Sequence, residues 1–358
     1  MTKIKIAYFD LSDGREDYSI DPRSYGGSAI FGRWAKEYLN NNQFEFFIFA
    51  HQSSFSGLNR LRSEYDLNCI PIDDKTAKQI KAGEFLDDHI PGLEYFDIVM
   101  HHNVSFKFNL RSKKIKEVMW CLFGESKDAN PLINYILCFR KNQKPQNSNQ
   151  RVYDFTLGAE VRDFQENIRK ENFMFQCTRH DEQTNSIEVI ENCKKYNIKF
   201  FLGGPIFYKN PHLFFQEKID NSTSFYMGLA LPEETKRDFT QRASLYPLLF
   251  KRNPAFNISA IESLSLGTPL LIPKENLQER SNNNHMFDGP IIDDDQFLKN
   301  LITENETGFL YDGTNFLECF EKAKDIKPKK CWETSQRFSV EKMINSASLA
   351  LKEIQETK

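Results

Sequence analysis

The sequence predicts an α/β protein made of two domains, each built on a parallel sheet. Three observations carry that prediction. Short apolar runs of strand length alternate with helical stretches from one end of the chain to the other, the order that parallel sheets with crossover helices require. The run Pro269-Leu270-Leu271-Ile272 is apolar at every position rather than at alternate ones, as in a strand covered on both faces. The chain has 358 residues, about two domains' worth.

Taken in order, Ile4 to Asp10 reads as the first strand. A polar loop follows, then Tyr25-Gly26-Gly27-Ser28 and a helix to Leu39. Strand, glycine turn and helix make the opening unit of a nucleotide-binding α/β domain. Glycines let backbone approach a phosphate or sugar, and a helix N-terminus favours an anion. Further strands are expected at Phe44 to Ala50, Asn68 to Ile72, Asp97 to His102, Glu117 to Phe123 and Tyr135 to Phe139. His101 and His102 end one of them. Adjacent strand residues face opposite ways, so only one of the two can face a cleft. No Cys or carboxylate stands at ligand spacing from the pair, so zinc is not expected. Phe106 to Lys116 is basic with interleaved apolar residues; on its own it reads as a solvated helix face. Lys141 to Arg151 is a polar loop.

In the second half, Asn172 to Thr178 is a buried strand with Arg179 directly at its end. A helix is expected over Ser186 to Tyr196, and a strand over Lys199 to Leu202 before Gly203-Gly204. Then come Ser224 to Gly228, a helix from Glu233 to Arg242, and an apolar strand from Ala243 to Phe250. A short helix from Ile258 to Leu266, stopped by Gly267, leads into Pro269 to Ile272. Ser259 to Glu262 spells S-x-x-E, a capping box in which Glu262 answers the helix's own N–H groups; that reading stands beside any functional one. Asn282 to Asp295 looks like an insertion. Its Asp293-Asp294-Asp295 reads better as the acidic start of a helix than as metal ligands. Val340, Met343, Ile344, Ala347 and Leu351 form the stripe of a final amphipathic helix.

Composition narrows the function classes. Hydrophobic residues are 40% and charged residues 27%, which is globular and not disordered. The net charge of −3 supplies no field for nucleic acid. Seven dispersed cysteines without a C-x-x-C pair suggest reduced thiols and a cytoplasmic setting. No apolar run approaches a membrane span, and no signal-peptide pattern opens the chain.

Several of these motifs resemble, in order, the retaining "group 1" glycosyltransferases, whose fold is the GT-B pair of Rossmann-like domains facing across a cleft. Their signature E-x-F-G-x-x-x-x-E-A-x-A-x-G-x-P is similar to Pro254 through Pro269. Phe256-Asn257 stands for F-G and Glu262 for the second Glu, while Pro254 replaces the first Glu and Ser263 the Ala. The linker pattern is matched by Gly158 and Phe164. The family's "G-R-L-x-x-x-K-G" and "G-x-G" fall on Arg179 and on Gly203-Gly204, with Thr184 in place of the Lys and Asn185 in place of the Gly. Glu306 to Leu310 matches the closing E-T-G-F-L.

The resemblance implies an acceptor-side domain over 1–167, a nucleotide-sugar domain over 168–335 and a last helix, 336–358, crossing back to the first domain. It implies transfer of a sugar from a nucleotide-diphosphate donor, with retention, to a glycan, lipid-linked or other acceptor. It also implies no metal or other cofactor, and peripheral contact with the inner face of a membrane at most. The catalytic residues it points to are His102, Arg179 and Glu262. The donor-binding residues are Gly26, Gly27, Arg179, Thr184, Asn185, Gly204, Asn257 and Glu262. Loss of the Lys leaves one cation fewer on the leaving diphosphate, with Lys251 and Arg252 as candidate substitutes. A catalytically weak nucleotide-sugar-binding scaffold on the same fold is the alternative.

Overall fold

The structure is a computed structural model and describes residues 3–11, 43–54, 58–59, 61–63, 66–101, 107–121, 130–138, 144–154, 158–166, 168–181, 184–207, 214, 217–229, 231–251, 257–274 and 297–357. The chain divides into two compact units. One comprises Met1–Leu157 with Val340–Lys358, the other Gly158–Ser339.

The first unit holds a parallel sheet of seven strands: β1 (Ile4–Asp10), β2 (Phe44–His51), β3 (Asn68–Ile72), β4 (Ile98–His101), β5 (Lys116–Cys121), β6 (Tyr135–Cys138) and β7 (Arg151–Asp154). Their order is β3-β2-β1-β4-β5-β6-β7. The strand order reverses between β1 and β4, the place where open α/β sheets leave a crevice at the strands' C-terminal ends. Asp10 and His101, the last residues of those two strands, are both buried. Stacked rings such as Phe9 on Phe49, with centroids 4.7 Å apart, fill one face of the sheet. Helix α1 (Asp74–Lys81) packs there through Ala77 and Ile80. Its N-terminus is capped by Asp73, whose Oδ1 accepts from the Thr76 N–H at 2.8 Å. The final helix, Val340–Glu356, buries the expected stripe together with Ala350 and Ile354. Near its end, Gln355 donates to Asp97 Oδ1 at 3.2 Å, and Arg151 donates to the Thr357 hydroxyl at 3.3 Å.

The second unit holds β8 (Glu171–Cys177), helix α2 (Ser186–Tyr196), β9 (Lys199–Gly203), β10 (Ser224–Tyr226), α3 (Glu233–Arg242), β11 (Ala243–Pro247), α4 (Ile258–Ser265), β12 (Leu270–Pro273), β13 (Gly308–Tyr311), α5 (Phe316–Ala323) and α6 (Pro328–Ser335). The sheet is parallel, in the order β10-β9-β8-β11-β12-β13, so its switch point lies between β8 and β11. Gly267 ends the turn after α4 at φ +74, and a Cβ there would lie 2.6 Å from Pro328 Cβ. The glycine thus serves both the left-handed turn and the approach of α6. In the E-T-G-F-L stretch, the buried Thr307 hydroxyl accepts from the Thr303 N–H and donates to the Leu301 carbonyl, at 2.7 and 2.8 Å.

Two expectations are revised. The unit boundary falls after Leu157, about ten residues earlier than the expected 167/168. Arg151–Asp154 is a strand of the first sheet, while the stretch after Gly158 is tied into the second unit. There the Ala159 N–H donates to the Phe338 carbonyl at 2.9 Å, and the Trp332 indole donates to the Arg162 carbonyl at 2.7 Å. The basic stretch near 107–115 is not a helix. Asn109 bridges to Phe85, and Arg111 is held by Asp87 and Asp88. No helix among the described residues is long and apolar enough to cross a membrane.

Candidate functional site

In the second unit, the loops following β8, β9 and β10 are stitched together beyond the C-terminal ends of the strands. The Thr178 N–H donates to the Gly203 carbonyl at 3.1 Å, and the Gly204 N–H to the Gly228 carbonyl at 2.9 Å. The Tyr226 hydroxyl donates to the Gly204 carbonyl at 2.8 Å. Gly204 sits at φ +115, and a Cβ there would lie 2.1 Å from the Thr178 carbonyl oxygen. No side chain fits, so the glycine sets the path of the residue just before Arg179.

Arg179 is half exposed. Its Nε is bound to Asp181 Oδ2 at 2.7 Å, and its guanidinium carbon lies 6.0 Å from the Phe207 ring centre. The ion pair fixes the guanidinium plane through Nε and leaves the two Nη groups to face an anion, the fork geometry suited to phosphate oxygens. The next residue, His180, adds no charge. Burial pushes its imidazole down to about 4, although the Gly203 carbonyl accepts from Nε2 at 2.8 Å. Its Nδ1 lies 2.7 Å from the Ser186 hydroxyl.

Thr184 and Asn185 are turned into their own loop. The Thr184 hydroxyl donates to the Asp181 carbonyl at 3.0 Å and accepts from the Asp181 N–H at 2.9 Å, while the Thr184 N–H donates to Asp181 Oδ1 at 2.9 Å. The hydroxyl that replaces the family's Lys is thus used in closing the turn. Asn185 stands at φ 54 as the residue before α2, and its amide donates to Glu188. A left-handed backbone explains why Asn can occupy a Gly place.

Glu262 lies on the inner side of α4. Its Oε2 is 3.1 Å from Lys236 Nζ, which also lies 3.0 Å from Glu233 Oε2. The helix is capped by Asn257, whose Oδ1 accepts from the Ala260 N–H at 2.8 Å and from the Ser259 hydroxyl at 2.7 Å. The capping-box reading of Glu262 is therefore replaced: Asn257 satisfies the helix end, and Glu262 reaches across to α3. Burial alone would lower the Lys236 pKa; Glu262 and Glu233 outweigh it and hold the ammonium above its usual value. The pair lines a small cleft with Glu160, Arg162, Tyr246 and Ser259, with room for about one water. Tyr246 joins that cleft to the Arg179 loop. Its hydroxyl donates to the Cys177 carbonyl at 2.8 Å and accepts from the Cys177 N–H at 2.9 Å. Lys236 was missed by the sequence reading, because the charges on α3 leave no apolar stripe to say which lysine points inward.

No protein-family model matches the chain, and no curated protein matches it in sequence. Solved structures do match it along its whole length. A glycosyltransferase from Rickettsia africae covers 100% of both chains at 14% identity and TM-score 0.63. AviGT4, a glycosyltransferase involved in avilamycin A biosynthesis, covers 99% of both at 13% identity and TM-score 0.62. HepE from Anabaena, solved with UDP-glucose, covers 98% of this chain and 100% of its own at 12% identity and TM-score 0.62. This chain has the GT-B fold.

In the first unit of this GT-B chain, Gly26, Gly27 and His102 lie outside the described residues, as do Arg252 and Asp293 to Asp295. The neighbouring His101 is buried. Its Nε2 is 3.1 Å from Glu117 Oε1, which also accepts from the Phe108 N–H at 2.6 Å, and its ring stands edge-on to Phe108 with centroids 4.8 Å apart. Glu117 was also missed. A carboxylate within the apolar run EVMWCLF was the signal, but naming its partner requires knowing that β4 and β5 are neighbours.

Proposed function

We propose that this GT-B protein is a nucleotide-sugar-dependent glycosyltransferase of hexosyltransferase type, retaining configuration at the anomeric carbon. The observation that carries the reading is the open guanidinium of Arg179 at the switch point of the second sheet, linked through Cys177 and Tyr246 to the cleft that holds Glu262. In this reading the Nη groups of Arg179 take the charge that develops on the departing diphosphate. Glu262 accepts from the donor's ribose hydroxyls. Gly26, Gly27 and the backbone at Gly204, Asn185 and Asn257 approach the donor, and His102 contacts the transferred sugar or its acceptor. Protein cations stand where other transferases use a metal, so chelation should leave the rate unchanged. The acceptor is a glycan or lipid-linked molecule, met in the cytoplasm or at the membrane's inner face. UDP-glucose is the first donor to try, because HepE was solved with it.

The test is transfer and donor hydrolysis by the wild type across nucleotide sugars, followed by Arg179→Ala. Turnover should fall roughly 100-fold, with donor Kd weakened less than about ten-fold, since the interaction strengthens as the leaving group departs. Equal losses in both would remove the leaving-group role. A second reading, a nucleotide-sugar-binding scaffold, is favoured by one observation: the Thr184 hydroxyl is engaged in its own loop where the family has a cation. Tight donor binding without transfer or hydrolysis on any acceptor would support it.

A further inference from the structure

The acidic and basic side chains of the second-unit cleft form an alternating chain. Arg162 Nη2 lies 2.7 Å from Glu160 Oε2 and 3.5 Å from Glu233 Oε1, Glu233 Oε2 lies 3.0 Å from Lys236 Nζ, and Lys236 Nζ lies 3.1 Å from Glu262 Oε2. The chain ends on Glu262, whose other oxygen has no partner among the described residues. The side chains of Lys236 and Glu262 are only 16% and 22% exposed, so the contact is far less screened than a surface pair. The cleft's acids (Glu160, Glu233, Glu262) are balanced by its bases (Arg162, Lys236, Arg237). A neutral field of this kind does not select an anion. Beside the hydroxyls of Tyr246 and Ser259 it suits hydroxyl donors.

We propose that Lys236 is a positioning residue: it grips Glu262 by Oε2 and presents Oε1 to the vicinal hydroxyls of the donor's ribose. This rests on the donor-site reading above and deepens it. The lysine does not serve as the missing phosphate cation, because both of its ion-pair partners are carboxylates that neutralise it. Its work is to fix which oxygen is free. An ionised carboxylate accepts only, which matches two hydroxyls that donate.

Calorimetric titration of the full-length protein with UDP, GDP, ADP and CDP, and with the 2′,3′-dideoxy form of whichever ribonucleotide binds, tests this. Lys236→Met should weaken the ribonucleotide by roughly ten-fold or more and leave the dideoxy form at its wild-type affinity. Lys236→Arg, which keeps the charge, should preserve the wild-type preference for the ribose form. A purely structural lysine would lower both affinities together. Should Lys236→Met fail to fold, Lys236→Gln takes its place, with the same outcome expected. Wild-type affinity for the ribonucleotide in the neutral variant, or equal losses for both forms, overturns the inference while the donor site stands. A wild type that binds none of the four overturns the donor-site reading itself, and the inference with it.

Discussion

Between pH 10.5 and about 7, the wild type should lose about 3 kcal/mol of unfolding free energy relative to Lys170→Met. Lys170 precedes β8, and its Nζ donates to the Gln241 carbonyl at 2.8 Å and to the Thr268 hydroxyl at 2.5 Å. That hydroxyl donates its own hydrogen bond to the Thr240 carbonyl. A neutral amine has two N–H groups, and both are used. The third proton of an ammonium finds neither a carboxylate nor a further acceptor among the described residues. Burial accordingly pushes the amine down to about 7, with the Cys331 sulfur pulling weakly the other way. The unfolded chain holds its proton up to 10.5, so over this window it binds more protons than the folded one. Stability from this group is therefore complete above 10.5, declines as pH falls, and levels off below about 7. The whole shift would be worth ~5 kcal/mol; the partly exposed stem of the residue lets water relieve some of it. Urea unfolding of both proteins at a series of pH values measures the difference. Parallel curves would mean that Lys170 stays protonated in the fold at neutral pH.

Gly204→Ala should cost about 4 kcal/mol or more and disable the site together with the fold. Two penalties combine. The residue sits at φ +115, where L side chains are strained, and the new Cβ would meet the Thr178 backbone at 2.1 Å. A backbone atom cannot swing aside as a side-chain tip can, so Thr178 must shift, and Arg179 with it. Gly228→Ala isolates the first penalty: its φ is +121 and nothing lies within 4 Å of the added Cβ. It should cost ~1–3 kcal/mol. Thermal unfolding of the two variants side by side reads the steric share, and equal losses would show that the contact with Thr178 is relieved at no cost.

Much of the second unit was legible because its signals are local. Gly267 ends a helix and begins a strand within a few residues, and the strand after Arg242 is an apolar run, while the charged helix over Glu233 to Arg242 was placed by the order of elements in the resembled family. Arg179 directly follows an apolar run, but it was the resemblance to the family's Arg motif that singled it out. What local pattern could not supply was the partner of each polar group. Ser259 and Glu262 have capping-box spacing, yet Asn257, two residues upstream of Ser259, takes the cap, because its backbone is extended just where the helix begins. Thr184, expected among the donor-binding residues in the place of the family's Lys, has its hydroxyl engaged in closing its own turn. The links from Lys236 to Glu262 and from His101 to Glu117 join separate elements, so they depend on strand order and helix rotation, which a single sequence does not state. In the first unit β1 and β3 fall on the expected residues, whereas β7, four residues at the end of a polar loop, was read as part of the linker.

The final helix belongs to the unit that begins at the N-terminus, and the intervening unit has its two ends held together where Ala159 meets Phe338. In topological terms the second unit is an insertion within the first. It follows that the ribosome starts the first unit earliest and completes it last. Its sheet must wait, unsealed beside Asp97 and Arg151, while all of 158–339 is synthesised and able to fold. A chain cut after Ser339 would therefore release a finished insert on an unfinished host.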